Sequence, residues 1–219
     1  PVMLLVLDGW GLAPPNKGNA ISNARTPNMD SYYRTYPHCD LIASGESVGL
    51  PANEVGNTEV GHLTLGDGRT MNQDLKRINS AIADGSFFDN RAIAQAISYA
   101  NQNGSKLHIM GLVGNGNVHS SLPHLKSIIQ FCKSSDFSNF YIHAFTDGRD
   151  SPPNDAENVI KELEEMLRIN RAGRIASVTG RYWAMDRDRR WERTERAYNA
   201  LVLGQGRIVN TAFEAVTTS

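Results

Sequence analysis

The residues from 44 to 62 form a glycine-rich segment that places one hydroxyl, that of Thr58, at the expected start of a helix. Backbone N–H groups at a helix N-terminus, together with the positive end of the helix dipole, hold an anion beside such a side chain. Thr58 is therefore a candidate phosphate acceptor. The alternative is that Thr58 only caps the helix, since short motifs of Gly and Thr also serve that purpose.

A second candidate for chemistry lies near the start of the chain. The apolar run Val2 to Leu7 is interpreted as a buried strand, and it leads directly into Asp8 and a glycine-containing turn. A carboxylate at a strand end is a hard oxygen ligand of the kind that divalent cations prefer. The alternative is an aspartate that caps the following turn.

The elements that must position further functional groups follow a regular alternation. Apolar runs with strand character alternate with segments whose apolar residues recur at helical spacing. This pattern predicts an α/β fold with a mainly parallel sheet. The strands are expected at 106–113, 140–146 and 174–179, and the helices at 92–101, 122–133, 155–169 and 190–203.

Ligands bind at the carboxyl ends of the strands in open parallel sheets, so the loops after these runs are candidate sites. The loop after 106–113 ends in His119, which can relay a proton near neutral pH. The loop after 140–146 presents Arg149 and Asp150. The alternatives are a surface histidine and a local ion pair between Arg149 and Asp147 or Asp150, which would contribute little stability.

The loop after 174–179 contains Arg181 and Arg187 beside several aromatic residues. Guanidinium groups bind phosphate and carboxylate groups with two parallel hydrogen bonds. The alternative is a solvated helix start with the tryptophans in the core. Three successive loops with anion-binding or proton-donating groups favour a small phosphorylated acid as the ligand.

The composition restricts the class of protein. With 22 basic and 23 acidic residues, the net charge of −1 provides no global field that would attract nucleic acid or a membrane surface. The two cysteines do not form a disulfide framework, which favours a reducing cytoplasm. The opening apolar run is too short to span a bilayer.

The region before the regular alternation has a different organisation. A helix is expected at 26–34 and a second strand at 40–43. A polar, less patterned stretch at 66–79 separates this region from the later strands, so a domain junction is expected there.

The chain contains the motifs Asp-Gly-Trp-Gly at 8–11, Gly-Asn-Thr-Glu-Val-Gly-His at 56–62, His-Ala-Phe-Thr-Asp-Gly-Arg-Asp at 143–150 and Gly-Arg-Tyr-Trp-Ala-Met-Asp-Arg at 180–187. Motifs of this kind, in this order, are found in one enzyme family, which the chain resembles: cofactor-independent phosphoglycerate mutase, a member of the alkaline phosphatase superfamily.

The resemblance implies interconversion of 3-phosphoglycerate and 2-phosphoglycerate through a phosphorylated enzyme. It implies two divalent metal ions, most often Mn²⁺, and no 2,3-bisphosphoglycerate cofactor. By this resemblance residues 1–72 are the N-terminal part of a metal-binding, phosphatase-like domain. Residues 73–219 are a phosphotransferase domain, expected to be incomplete at its C-terminus. A monomeric cytoplasmic enzyme with a small-molecule substrate is expected.

Carried onto this sequence, the resemblance assigns roles to seven residues. Thr58 corresponds to the phosphorylated nucleophile, and Asp8 and Thr58 to metal ligands. The residues that correspond to the substrate-binding set are His119, Arg149, Asp150, Arg181 and Arg187.

Three departures from the family pattern affect these expectations. The usual nucleophile is serine, whereas this chain has Thr58, and the usual Ser-Asp-Gly-Gly before the histidine is Gly-Asn-Gly-Asn at 114–117. The family's remaining metal ligands lie beyond residue 219, so the 219-residue chain alone is expected to fold incompletely and to lack mutase activity.

Two other functions are compatible with the sequence. The first is a phosphatase or phosphomutase of the same superfamily that acts on another small phosphate ester. The second is a non-catalytic domain that binds an anionic metabolite through Arg149, Arg181 and Arg187.

Overall fold

The computed structural model describes residues 1–218 and divides the chain into two compact units. The first unit extends from Pro1 to Arg77, and the second begins at Ile78. The first unit contains α1 (Ala20–Asn23), α2 (Pro27–Thr35), a 3₁₀ helix (Gly45–Val48), α3 (Thr58–Asp67) and the start of α4 (Asp74–Asp84).

The two strands predicted in the first unit are absent from the structure. Residues 2–7 and 40–43 form no strand, and their apolar side chains are exposed: Leu5 is 73% and Leu41 77% accessible. Apolar composition indicates a tendency to be buried, but a strand also requires a neighbour for its backbone hydrogen bonds. Neither run has such a neighbour among residues 1–218. The prediction of these strands was therefore wrong for this structure.

The second unit confirms the predicted α/β class. Its sheet is parallel with the order β1 (Leu107–Val113), β2 (Phe140–Thr146) and β3 (Arg174–Gly180). The predicted helices are present within one or two residues of their expected bounds. The helices of this unit are α5 (Arg91–Gln102), α6 (Leu122–Ser134), α7 (Ala156–Asn170), α8 (Arg181–Ala184), α9 (Trp191–Val202) and α10 (Ala212–Thr217), with a 3₁₀ helix at Ser86–Asp89.

One core holds the second unit together. Phe140 and Ile142 of β2 are 1% exposed, and they share a buried cluster with Ile129 of α6 and with Ile160 and Leu163 of α7. The helical spacing of the apolar residues in α6 and α7 is therefore explained by burial of one face of each helix. No helix within residues 1–218 is long and apolar enough to cross a membrane.

The strand register determines which loop residues meet. Val113 is paired with Thr146, and Thr146 is paired with Gly180, at the carboxyl ends of all three strands. The residues that follow each strand therefore start from adjacent positions along one edge of the sheet, as the sequence predicted for a parallel arrangement.

Candidate functional site

In the first unit, Thr58 is the first residue of α3 and its hydroxyl is held by Asp8. The Thr58 Oγ1–H donates to Asp8 Oδ2 over 2.7 Å, although 50 residues separate the two in sequence. The helix cap is the preceding residue, Asn57, whose side chain accepts from the Val60 N–H. The interpretation of Thr58 as only a cap is therefore wrong, and its hydroxyl is directed to a carboxylate instead.

Two glycines in this segment allow close backbone contacts. A Cβ on Gly56 would lie 1.7 Å from the Ala43 carbonyl oxygen, and a Cβ on Gly49 would lie 1.8 Å from the Met71 carbonyl oxygen. Gly49 also has φ of +78°, which other residues rarely adopt. The glycine-rich composition before Thr58 is thus required by the packing of the segment.

His62 was not among the predicted site residues, and it contacts Thr58. Its Nδ1–H donates to the Thr58 carbonyl oxygen over 2.8 Å and lies 3.2 Å from Thr58 Oγ1. Residues four apart on a helix face each other. The spacing of four residues between Thr58 and His62 could therefore have indicated this contact from the sequence alone.

Asp8 and Thr58 supply carboxylate and hydroxyl oxygen atoms of the hard type that Mn²⁺ and Mg²⁺ bind. Within residues 1–218 no group of three or more His, Cys, Asp or Glu side chains is arranged to hold a metal ion. The donor chemistry therefore fits a divalent cation, while these two residues alone form only part of a coordination shell.

In the second unit, Arg181 is the centre of a buried ionic cluster. Its Nη1 donates to Asp147 Oδ1 and to Asp150 Oδ2, both over 2.7 Å. The exposed fractions of the Arg181, Asp147 and Asp150 side chains are only 11%, 3% and 14%. His119 Nε2 lies 4.0 Å from Asp150 Oδ2. The structure thus brings three of the predicted residues, Arg181, Asp150 and His119, into one cluster. The cluster also contains Asp147, a carboxylate that was not predicted as a site residue.

Asp147 also organises the backbone of its own loop. Its Oδ1 accepts the N–H groups of Arg149 and Asp150, over 3.0 and 3.2 Å. Burial raises the pKa of Asp147, but the hydrogen bonds from Arg181 and from the two backbone amides, together with the nearby Ser151 hydroxyl, outweigh burial and hold the pKa at about 2. The Ser151 hydroxyl is close enough to affect this pKa, yet Oδ2 has no partner with hydrogen-bond geometry among residues 1–218.

The two other predicted arginines are available for a ligand. The side chains of Arg149 and Arg187 are exposed and make no hydrogen bond or ion pair within the described chain. The alternative of an Arg149 ion pair with Asp147 or Asp150 is wrong, because Arg181 takes both carboxylates. Arg149 and Arg187 line a cavity of about 710 Å³ together with Arg181.

Asp186 shapes the loop that carries Arg187. Its side chain is 3% exposed, and Oδ2 accepts the N–H groups of Asp188 and Arg190 over 3.0 and 2.8 Å. Its Oδ1 lies 3.4 Å from Arg193 Nη1. Asp186 was not among the predicted site residues, since its burial depends on the fold.

Comparison with known families gives a match that coincides with the second unit. The family model described as "BPG-independent PGAM N-terminus" matches residues 78–219. The protein named 2,3-bisphosphoglycerate-independent phosphoglycerate mutase from Clostridium beijerinckii is 50% identical over the whole chain, and the protein of the same name from Moorella thermoacetica is 51% identical. The chain spans 43% of the length of each of these curated relatives.

A solved structure is similar over nearly the whole chain. Phosphoglycerate mutase from Leishmania mexicana, crystallised at low cobalt concentration, matches with a TM-score of 0.80 and 36% identity. The match covers 97% of this chain and 40% of the Leishmania chain.

Proposed function

Because the chain belongs to the BPG-independent phosphoglycerate mutase N-terminus family, we propose that it serves the interconversion of 3-phosphoglycerate and 2-phosphoglycerate in glycolysis and gluconeogenesis. The reaction would proceed through a phosphothreonine at Thr58, without 2,3-bisphosphoglycerate. The observation that carries this proposal is the hydrogen bond from the Thr58 hydroxyl to Asp8 at the N-terminus of α3.

In the first half of the reaction, Thr58 Oγ1 attacks the phosphorus atom of the substrate and the bond from phosphorus to the glycerate oxygen breaks. The Thr58 proton passes by way of Asp8, which already accepts it in a hydrogen bond, and the departing glycerate oxygen receives a proton. In the second half, the other glycerate hydroxyl attacks the phosphothreonine and Thr58 regains its proton. The N-terminal amides of α3 favour the negative charge of the phosphoryl group.

We propose that Asp8 and Thr58 contribute ligands to a divalent metal site, with Mn²⁺ as the expected ion. Such a cation lowers the pKa of a hydroxyl and neutralises phosphoryl oxygens. The exposed carboxylate of Asp8 beside the Thr58 hydroxyl supports this assignment.

We assign substrate binding to the second unit, with Arg149 and Arg187 as the groups that contact the phosphoglycerate. Both guanidinium groups are exposed at the cavity and lack a competing carboxylate partner within residues 1–218. Arg181 and Asp150 contribute as a prearranged ion pair, and His119 lies beside Asp150. We further propose that residues 1–72 belong to a phosphatase-like domain and 73–219 to a phosphotransferase domain. A cytoplasmic location is proposed from the two free cysteines.

Phosphopeptide mass spectrometry of the full-length enzyme tests the proposed function. Incubation with 3-phosphoglycerate and Mn²⁺ is expected to place phosphate on Thr58 and to yield 2-phosphoglycerate. Thr58→Ala is expected to reduce turnover at least about 1,000-fold while phosphoglycerate binding is kept, because the nucleophile is lost. Thr58→Ser, which keeps the hydroxyl, is the matched control and should remain active.

Other outcomes would identify the alternative functions. Release of inorganic phosphate without isomerisation would indicate a phosphatase. Binding of phosphoglycerate without phosphate on Thr58 would indicate a non-catalytic binding domain.

A further inference from the structure

The loops that carry Arg149 and Arg187 are each held by a buried aspartate with the same pattern of hydrogen bonds. Asp147 precedes Arg149 in one loop and Asp186 precedes Arg187 in the other, and both carboxylates are 3% exposed. Each carboxylate accepts two backbone N–H groups of its own loop. Each is also paired with one guanidinium group from elsewhere in the unit.

These carboxylates fix segments that have no other regular structure. Residues 147–150 and 186–190 belong to neither helix nor strand, so their backbone is not held by a helix or sheet ladder. Charge-assisted hydrogen bonds are about twice as strong as neutral ones, and burial reduces the screening of the paired charges. The positions of the Arg149 and Arg187 backbones therefore depend on the two aspartates.

The partners of the aspartates lie at the same cavity. Arg181 and Arg193 line it together with Arg149 and Arg187. The Arg193 guanidinium is further held 3.8 Å from the centre of the Tyr182 ring. Each aspartate thus connects a loop with an exposed arginine to a fixed arginine on the cavity wall.

We propose that Asp147 and Asp186 are positioning residues that prearrange Arg149 and Arg187 to receive the phosphate or carboxylate group of the substrate. This inference rests on the proposed function, because it takes phosphoglycerate as the ligand. Prearranged groups lose less conformational freedom on binding, so the effect is on affinity rather than on the phosphoryl-transfer step.

Asp147→Asn in the full-length enzyme tests this role. The amide side chain has nearly the same shape but lacks the charge that holds Arg181. We expect KM, and the Kd of 3-phosphoglycerate from calorimetry, to rise about 10- to 100-fold. We expect kcat to change by less than about threefold. Asp186→Asn is expected to change the same quantities in the same direction.

Asp84→Asn is the matched control. Asp84, the last residue of α4, also accepts a nearby backbone N–H, that of Ser86 over 2.9 Å, but it pairs with no guanidinium within residues 1–218. Its substitution should leave KM and Kd unchanged.

The outcomes separate this inference from the proposed function. If the wild-type enzyme binds 3-phosphoglycerate without turnover, the proposed function fails, while the Kd values of the variants still test the positioning role. Unchanged KM and Kd, with kcat reduced in proportion to the folded fraction, would overturn the inference. If Asp147→Asn does not fold, Asp186→Asn provides the same test. If neither variant folds, the inference is overturned in favour of a purely structural role for the two aspartates. The inference is also overturned if the wild-type enzyme does not bind phosphoglycerate.

Discussion

The Thr58 region and the Arg181 region are supported in very different ways. Thr58 and Asp8 are exposed, and the buried apolar cluster of their unit consists of Val48, Leu50 and Val60. The Arg181 cluster is at most 14% exposed and follows directly from the ends of a sheet with a large core. Electrostatic interactions are stronger where water is excluded, so the geometry of the proposed ligand site is held more firmly in the second unit. The Thr58 hydrogen bond competes with water and contributes little stability of its own.

Removal of the Arg181 charge in the second unit is expected to have the largest effect on the free energy of unfolding. Arg181→Met would leave Asp147 and Asp150 buried without a cation, which costs about 3–5 kcal/mol for a buried ion pair. Lys126→Met removes an ion pair with Glu162 whose side chains are 39% and 48% exposed. This matched control should cost less than about 1 kcal/mol. Chemical denaturation measures the loss of unfolding free energy in both variants. Equal losses would show that the Arg181 cluster contributes no more stability than an exposed ion pair.

The packing before Thr58 can be tested with a pair of glycines. Gly56→Ala would place a Cβ 1.7 Å from the Ala43 carbonyl oxygen, whereas a Cβ on Gly61 meets no atom within 4 Å. We expect Gly56→Ala to destabilise the segment by about 1–3 kcal/mol, as overpacking does. Gly61→Ala, inside α3, should be neutral or stabilising by up to about 1 kcal/mol.

Hydrogen exchange monitored by mass spectrometry over residues 44–67 measures the local difference in stability between Gly56→Ala and Gly61→Ala. Faster exchange in Gly56→Ala with unchanged exchange in β2 is the expected pattern. Equal exchange in the two alanine variants would mean that the close contact at Gly56 is not maintained in solution.

The difference between the two units also explains what the sequence could predict. The elements of the second unit follow from local periodicity, and the meeting of their loops follows from parallel strands, so Arg149, Asp150 and Arg181 were correctly expected at one sheet edge. The pairing of Arg181 with both carboxylates could not be predicted, since it depends on the register of Thr146 and Gly180. The strand at Val2 to Leu7 was predicted wrongly because strand formation depends on a partner that a local pattern does not contain.

A hydrogen-bonded histidine pair lies in the sheet that supports the Arg181 cluster. His108 Nδ1 and His143 Nε2 are 2.9 Å apart, and His143 Nδ1 lies 2.8 Å from Ser177 Oγ. Burial, with a smaller contribution from the charge of His108, lowers the pKa of His143 from its usual value of 6.5. The neutral form is therefore the one that the folded state favours.

The pH dependence of the free energy of unfolding should show the protonation of this histidine pair. We expect this effect to be smaller than those of Arg181→Met and Gly56→Ala. Since the pKa of His143 is lower in the folded state, the unfolded state binds more protons near pH 6, and the free energy of unfolding should decrease as the pH falls through 6.5. Burial also lowers the pKa of His124, which adds a slope of the same sign. Denaturation from about pH 7.5 to about pH 5.5 should therefore show a smaller slope in His143→Gln than in wild type, and His124→Gln measures the second contribution separately. An unchanged slope in His143→Gln would mean that the histidine pair does not couple protonation to the stability of the sheet.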